Sequence, residues 1–174
     1  MRKALILTSK LVQDHEFIYP FYRLKEAGFN VETCNLSDGI VEGFFGTKVP
    51  PQATDTIVNI KKINVDNYDI LILPGGVKSM EILRLNNDAI DLIKKFNESN
   101  KIIAAICSGT MMLISAKILK GKKVTGYYAW KDDIENAGGT FVDEPSVIDG
   151  NLITSPHYKF NGEWMRSVIA KLNS

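Results

Sequence analysis

The chain has 174 residues, 45% of them hydrophobic, and 21 Lys and Arg against 20 Asp and Glu leave a net charge of +1. This composition supplies a sizeable core and excludes intrinsic disorder, which goes with few apolar residues and a large net charge. A balanced charge gives no electrostatic reason to expect a nucleic-acid partner, whose phosphates need a clustered basic surface. The longest apolar run, 102–107, is far shorter than the roughly 20 residues of a membrane-spanning helix. We therefore expect one domain over 1–174, with neither a nucleic-acid nor a membrane partner.

Cysteine and histidine are scarce, which limits the candidates for thiol or imidazole chemistry. The cysteines are Cys34 and Cys107, and the histidines are His15 and His157. Two cysteines can form only one disulfide, and the chain resembles an intracellular protein, so we expect no disulfide framework. The spacings C-x-x-C and H-E-x-x-H are absent, so we expect no metal site. Cys34 ends an early predicted strand and is interpreted as structural.

The chain begins with basic residues followed by an apolar run that stops at Leu7. This run is too short for the core of a signal peptide, so 3–8 is interpreted as a first strand. Asp14 is predicted to cap the helix that follows, because carboxylates accept the free N–H groups of a first turn. Gly28 is predicted to end that helix.

The rest of the chain alternates short apolar runs with helical patterns. The dipeptide Asp149-Gly150 is typical of a hairpin turn. Strands are predicted at 29–34, 68–73, 101–106 and 123–125, a hairpin at 147–154, an irregular hairpin or loop at 38–63, and helices at 80–85, 88–97, 110–118, 132–137 and 164–172.

Strands that alternate with helices predict an α/β domain with a mostly parallel central sheet. In open sheets of this kind, ligands bind outside the carboxyl ends of the strands. The segments expected at that edge are 8–16, 74–76, 107–109, 126–128 and 155–158. Tyr128, Trp130, Tyr158 and Phe160 either form an aromatic mouth there or pack as surface loops.

The segment from Ala105 to Gly109 has the pattern of a nucleophile elbow, with a reactive Cys107 between a strand and a helix and small residues on either side. The tight turn raises the sulfur above the sheet, over the positive end of a helix. These features predict a thiol pKa below the free value of about 8.5. The alternative is a buried structural cysteine.

Two further elements are expected at the same edge. The N–H groups of Gly75, Gly76 and Ser108 are candidates for an oxyanion hole, the alternative being a plain turn after a strand. Glu16, if protonated, would donate a hydrogen bond to the Cys107 thiolate; if ionised, it would raise the thiol pKa. The alternative for Glu16 is a favourable charge in the first turn of a helix.

Several segments in the same order resemble the ThiJ/PfpI family, the superfamily of the Parkinsonism-associated deglycase and the PfpI intracellular peptidase. The resemblance covers nearly the whole chain. It is carried by Leu5-Ile6-Leu7-Thr8, Glu16-Phe17-Ile18-Tyr19-Pro20, Pro74-Gly75-Gly76, Arg84-Leu85-Asn86, Ala105-Ile106-Cys107-Ser108-Gly109, Lys131-Asp132-Asp133 and Trp164-Met165-Arg166.

The resemblance implies a flavodoxin-like three-layer sandwich that assembles as a homodimer or a larger homo-oligomer. It implies that Cys107 is the elbow nucleophile, that Glu16 is its carboxyl partner, and that Gly75, Gly76 and Ser108 form the oxyanion site. Members of the family include peptidases, glyoxalases, deglycases, isonitrile hydratases, chaperones and oxidative-stress proteins. The fold alone therefore does not determine the function.

The chain departs from the family where an imidazole is usually found. PfpI-type members carry His directly after the cysteine, where this chain has Ser108, and another branch carries His at the position of Tyr127, a candidate substrate-binding residue. We infer that His157 supplies an imidazole from a different loop, the alternative being a histidine at the rim. Glu81 roughly matches an acidic residue that PfpI-type enzymes donate to a neighbouring subunit.

The predicted function is cofactor-free chemistry on small carbonyl compounds, or on their adducts with modified protein side chains, in stress protection. Cys107 would attack the carbonyl, and Glu16 or His157 would move the protons. This predicts a cysteine-dependent hydrolase or lyase in the cytoplasm. The alternatives are a redox-sensing or chaperone-like protein without turnover, and a PfpI-type peptidase or amidase.

Overall fold

A central sheet of six strands organises the structure. The computed structural model describes residues 2–37 and 39–174; Met1, and Asp38 at the start of the predicted irregular segment, lie outside them. The strands are β1 (Lys3–Thr8), β2 (Asn30–Asn35), β3 (Val41–Glu42), β4 (Lys48–Val49), β5 (Ile70–Leu73), β6 (Ile102–Ile106), β7 (Lys123–Val124), β8 (Thr140–Phe141), β9 (Val147–Asp149) and β10 (Leu152–Ser155).

The central sheet has the order β2-β1-β5-β6-β10-β9. All neighbouring strands in it are parallel except β9, which pairs antiparallel with β10 through the predicted hairpin. The predicted hairpin within 38–63 is present as the antiparallel pair β3 and β4. The short strand β7 pairs with β8 in a separate parallel ladder.

Helices cover both faces of this sheet. They are α1 (Asp14–Glu26), α2 (Val77–Arg84), α3 (Asn87–Glu98), α4 (Thr110–Ser115), α5 (Lys131–Asn136) and α6 (Asn161–Leu172). Helices α2 to α5 pack with Leu5 and Leu7 of β1, whereas α1 and α6 pack with Ala4 and Ile6 of the same strand. A strand buried on both faces must be apolar at every position, which explains its continuous run. The predicted flavodoxin-like three-layer sandwich is confirmed. Within the described residues, no helix is both long and apolar enough to cross a bilayer.

The predicted role of Asp14 as a helix cap is wrong. The cap of α1 is Gln13, whose side chain accepts the N–H of His15 at 2.7 Å. The Asp14 carboxylate instead accepts the N–H groups of Phe45 at 2.7 Å and Thr47 at 2.8 Å. Its oxygens therefore fasten the loop between β3 and β4 onto the start of α1.

Two other predicted boundaries differ because of backbone geometry. Helix α4 ends at Ser115 rather than at 118, because Lys117 has a positive φ of 59°, which a right-handed helix does not accept. Helix α2 begins at Val77, three residues earlier than predicted, directly after Gly76 with its φ of 96°.

The register of the sheet brings two loops together. Leu73, the last residue of β5, lies beside Ala105 of β6, so the chain after Leu73 runs next to the chain that leads to Cys107. Gly109 makes this approach possible, because a Cβ on it would collide with the Leu73 carbonyl oxygen and would lie 3.0 Å from the carbonyl oxygen of Pro74. Glycine is therefore required at position 109 because the end of β5 lies against it.

We expect Gly109→Ala to lower the free energy of unfolding by roughly 1–3 kcal/mol, because the added methyl group would force backbone apart. The matched control is Gly162→Ala in α6, where a Cβ would meet no atom within 4 Å. That change should be neutral or stabilising, since alanine favours a helix by about 0.5–1 kcal/mol over glycine. Urea unfolding of both variants measures the contrast, and equal effects would contradict it.

Candidate active site

Cys107 lies at the carboxyl end of β6 in a strained turn. Its φ is 57°, a left-handed conformation that costs an ordinary residue roughly 1–2 kcal/mol. It opens a short 3-10 turn, Cys107–Gly109, that leads into α4, and its side chain is partly exposed. This is the predicted elbow conformation.

Glu16 is buried beneath this turn, in the first turn of α1. Its Oε2 accepts the N–H of Gly75 at 2.8 Å. Its Oε1 is buried and has no hydrogen-bond partner among residues 2–37 and 39–174. A Cβ on Gly75 would collide with the Glu16 carboxylate and would lie 3.0 Å from the Cβ of Cys107. Glu16 and Cys107 therefore both lie against Gly75, and only glycine fits at 75.

The carboxyl group and the thiol control each other's ionisation. Burial raises the pKa of Glu16 to about 8, although the Gly75 N–H and Cys107 favour its charged form. Burial, and then the negative charge of Glu16, raise the pKa of the Cys107 thiol to about 12, against the lowering effect of the Ser108 hydroxyl and N–H. The predicted thiol pKa below 8.5 is therefore wrong in this structure. The reason is that burial and a neighbouring carboxylate outweigh the six-residue helix α4.

The three predicted oxyanion donors are not equivalent. The Gly75 N–H is already donated to Glu16. The Ser108 nitrogen would lie 2.9 Å from a Cβ on Gly75, so the Ser108 backbone also lies against Gly75. Gly76, with its φ of 96°, packs against the backbone of Leu11 and Gln13, where a Cβ would approach within 2.7 Å. Ser108 and Gly76 remain as candidate donors to a substrate oxygen.

Ser108 is nearly fully buried beside the sulfur. Its Oγ lies 3.9 Å from the Cys107 Sγ and accepts a hydrogen bond from the Trp130 indole Nε1 at 3.4 Å. Sequence reasoning placed Trp130 near the mouth but did not connect it with Ser108. The contact exists because the fold brings the 128–130 turn next to the elbow, which the sequence does not show.

Tyr127 and His157 belong to a group of neighbouring rings beside the elbow, the aromatic mouth, together with Tyr128, Trp130 and Tyr158. The Tyr127 N–H donates to the Cys107 carbonyl at 3.3 Å, and its ring centre lies 6.4 Å from that of His157. The His157 Nδ1 accepts the N–H of Lys159 at 3.2 Å, which leaves Nε2 to carry the proton of the neutral ring. Burial, and then the charge of Lys159, lower the His157 pKa. Within residues 2–37 and 39–174, His157 makes no hydrogen bond with Cys107.

The remaining sequence candidates make no hydrogen bond with the sulfur among residues 2–37 and 39–174. His15 stacks on Tyr158 at 4.9 Å and so extends the aromatic mouth, a role that the sequence analysis did not predict. Glu81 is exposed on α2 and pairs with Lys78 at 2.9 Å. Cys34 is buried in the core, where burial raises its thiol pKa to about 12. In the described part of the chain, no cluster of three His, Cys, Asp or Glu side chains could hold a metal ion.

Comparison with known proteins agrees with this geometry. The sequence profile of the DJ-1/PfpI family matches residues 2–171. The chain belongs to this family. Deglycase PfpI from Pyrococcus furiosus is 38% identical over 170 residues, which cover 98% of this chain and 99% of that protein.

Solved structures of the family have the same fold. A two-domain protein from Anabaena variabilis, with DJ-1/ThiJ/PfpI-like and ferritin-like domains, superposes with a TM-score of 0.90 at 30% identity. The match covers 99% of this chain and 48% of that protein. DJ-1beta from Drosophila melanogaster has a TM-score of 0.88 at 26% identity, over 98% of this chain and 90% of the other.

The raised pKa of Glu16 predicts how stability changes with pH. Between the ordinary value of 4.5 and about 8, the folded protein keeps a proton that the unfolded chain has lost. The contribution of Glu16 to the free energy of unfolding therefore falls as pH rises, by up to about 1.4 kcal/mol per pH unit. We expect Glu16→Gln, which cannot ionise, to gain stability relative to the parent between pH 5 and 8, measured by urea unfolding.

The control for this measurement is Glu26→Gln on the same helix. Glu26 is exposed and pairs with Arg23 at 3.3 Å, so its removal should leave the pH dependence close to that of the parent. A constant difference between Glu16→Gln and the parent across this pH range would show that Glu16 ionises normally in the folded protein.

Proposed function

We propose that this protein is a cofactor-free deglycase and glyoxalase, with Cys107 as the nucleophile. Its substrates would be α-oxoaldehydes and the adducts that these form with protein amines and thiols. The observation that carries the proposal is that the buried Glu16 carboxyl group and Cys107 lie against the same residue, Gly75, which sets a proton carrier beside a thiol. The name of the Pyrococcus furiosus relative, Deglycase PfpI, supports the same chemistry.

The first step would use the free oxygen of Glu16. The sulfur attacks the aldehyde carbon and forms a C–S bond while Glu16 Oε1 takes the thiol proton. The electron pair of the C=O bond moves to oxygen, which receives that proton and gives a hemithioacetal. With an amine adduct, the C–N bond breaks instead and the proton leaves with the amine. A carboxyl group with a pKa of about 8 suits both directions of transfer near neutral pH.

The second step would move a hydrogen between adjacent carbons. The Glu16 carboxylate removes the hydrogen of the former aldehyde carbon as a proton and returns it to the neighbouring carbon through an enediol, while the hydroxyl proton on the sulfur-bearing carbon passes to the neighbouring oxygen. The product is a thioester of a 2-hydroxy acid, which water hydrolyses to free the Cys107 thiol. The sum is oxoaldehyde plus water to 2-hydroxy acid, so no external oxidant or reductant is needed.

Backbone and ring donors would hold the substrate during these steps. The N–H groups of Ser108 and Gly76 are assigned to the developing oxyanion, because the Gly75 N–H is committed to Glu16. His157 is assigned a second donor role at the mouth through its Nε2–H, beside Tyr127. Lowering of the His157 pKa favours the neutral ring that this role requires.

A cytoplasmic location and a homodimeric or larger assembly complete the proposal. The homo-oligomer is what the family resemblance implies, and the cytoplasmic location is inferred from the sequence. The pairing of Glu81 with Lys78 within one helix is compatible with the predicted approach of Glu81 to a partner subunit, since both side chains are exposed.

We expect Cys107→Ala to lower kcat/KM with methylglyoxal and with methylglyoxal-treated N-acetylarginine by on the order of a thousandfold or more, because the variant lacks the nucleophile. Lactate formation and release of free amine measure the two activities. Cys34→Ser is the matched control and should keep the parent's activity, since Cys34 is buried on β2, which β1 and β5 separate from the strand that leads to Cys107.

Full turnover by Cys107→Ala would exclude covalent catalysis at this site. If the parent turns over neither substrate but mild peroxide adds oxygen to Cys107 in intact-mass spectra, the protein is a redox sensor instead. Accumulation of an acyl-enzyme with amide substrates would identify a peptidase or amidase.

We expect His157→Ala to lower kcat/KM with methylglyoxal about five- to tenfold, the value of one hydrogen bond from a neutral donor. The pH midpoint of Cys107 alkylation should stay where it is in the parent, because His157 makes no hydrogen bond with the sulfur in the described chain. A midpoint that moves upward by a full unit would instead identify His157 as the base for the thiol.

A further inference from the structure

The Ser108 hydroxyl lies between the Trp130 indole N–H and the Cys107 sulfur. It accepts the indole N–H of Trp130 at 3.4 Å, and its oxygen lies 3.9 Å from the Cys107 sulfur. A hydroxyl carries one hydrogen and two acceptor sites, whereas an indole N–H can only donate. Once the indole occupies an acceptor site, the hydroxyl hydrogen is left for the sulfur.

We propose that Trp130 is a positioning residue that acts through Ser108, turning the Ser108 hydroxyl hydrogen toward the sulfur of Cys107. The proposal rests on the nucleophilic role of Cys107 given above, but it concerns the thiol before any substrate binds. A hydrogen bond to a thiolate stabilises the charged form, so the pair would favour ionisation of the nucleophile.

Trp130 is held firmly enough for this role. It is the last residue of the 3-10 turn Tyr128–Trp130, and its backbone N–H donates to the Tyr127 carbonyl at 2.8 Å. Its ring packs against the core cluster on the α4 side of the sheet. Because Tyr127 in turn donates its N–H to the Cys107 carbonyl, the turn that carries the indole is fastened to the elbow itself.

The pair supplies a donor that does not titrate. The charged group that faces the sulfur is Glu16 from α1, and its charge opposes ionisation of the thiol. Two further titratable side chains, Tyr127 and His157, lie at the mouth; His157 is on the segment after β10, with its ring centre 6.4 Å from that of Tyr127. Serine and tryptophan stay neutral throughout, so their effect on the thiol does not depend on their own protonation. This differs from an imidazole beside the cysteine, which gains and loses a proton near neutral pH.

The test is a double-mutant cycle on the alkylation of Cys107 by iodoacetamide against pH, in a Cys34→Ser background. We expect Trp130→Phe to raise the midpoint by about 0.5 pH unit and Ser108→Ala to raise it by at least as much. The double variant should shift no further than Ser108→Ala alone, because without the hydroxyl the indole has nothing to orient. Tyr128→Phe, in the same turn, is the control and should leave the midpoint unchanged.

Shifts that add in the double variant, or a Trp130→Phe midpoint equal to that of the parent, would overturn the proposal. If Trp130→Phe does not fold, benzothienylalanine at position 130 keeps the shape of the ring and removes only the N–H; the same shift is expected, and its absence would also overturn it. Ser108→Thr keeps the hydroxyl and should restore the parent midpoint. Alkylation needs no substrate, so this outcome is independent of whether the protein turns over an oxoaldehyde.

Discussion

The contact on which the site depends is the hydrogen bond from the Gly75 N–H to the Glu16 carboxylate. It joins the loop after β5 to the first turn of α1, directly under the Cys107 elbow. No side chain larger than hydrogen fits at Gly75, so the carboxyl group, the loop and the thiol approach as closely as backbone allows. The register between β5 and β6 also contributes, because it brings the loop after β5 and the Cys107 turn after β6 to the same edge of the sheet.

Burial gives this arrangement its chemical character. Here burial moves the pKa of Glu16 up to about 8, into the range where general acid–base transfer is efficient. The thiol becomes harder to ionise at the same time, which makes the neutral donors around it important. The Ser108 hydroxyl lies 3.9 Å from the sulfur, and Trp130 donates to that hydroxyl.

Much of the fold follows from local pattern. Runs such as 102–106 must be strands because they are apolar at every position and too short for buried helices, and their alternation with helices gives a parallel sheet. The edge at which Glu16, Gly75 and Cys107 meet then follows from the direction of the strands. Family resemblance added the pairing of particular residues, which spacing alone left open.

Properties that depend on long-range contact did not follow from the sequence. Asp14 is a good cap by residue type, but a loop more than thirty residues away takes its carboxylate. The thiol pKa depends on how deeply the elbow is buried, which no local pattern reports. Trp130 and Ser108 are 22 residues apart in the sequence, and their contact depends on the side-chain conformation of each. In each case a distant partner competes with the local preference.

The positive φ of Cys107 sets the demands of folding against those of chemistry at one position. Glycine adopts this conformation without strain, so the backbone at 107 would be best served by the residue that has no sulfur. A search for heat-resistant variants that allowed this position to vary would therefore enrich proteins that lack the thiol. Under the proposed role of Cys107, selection for reactivity and selection for stability would favour different residues at this position.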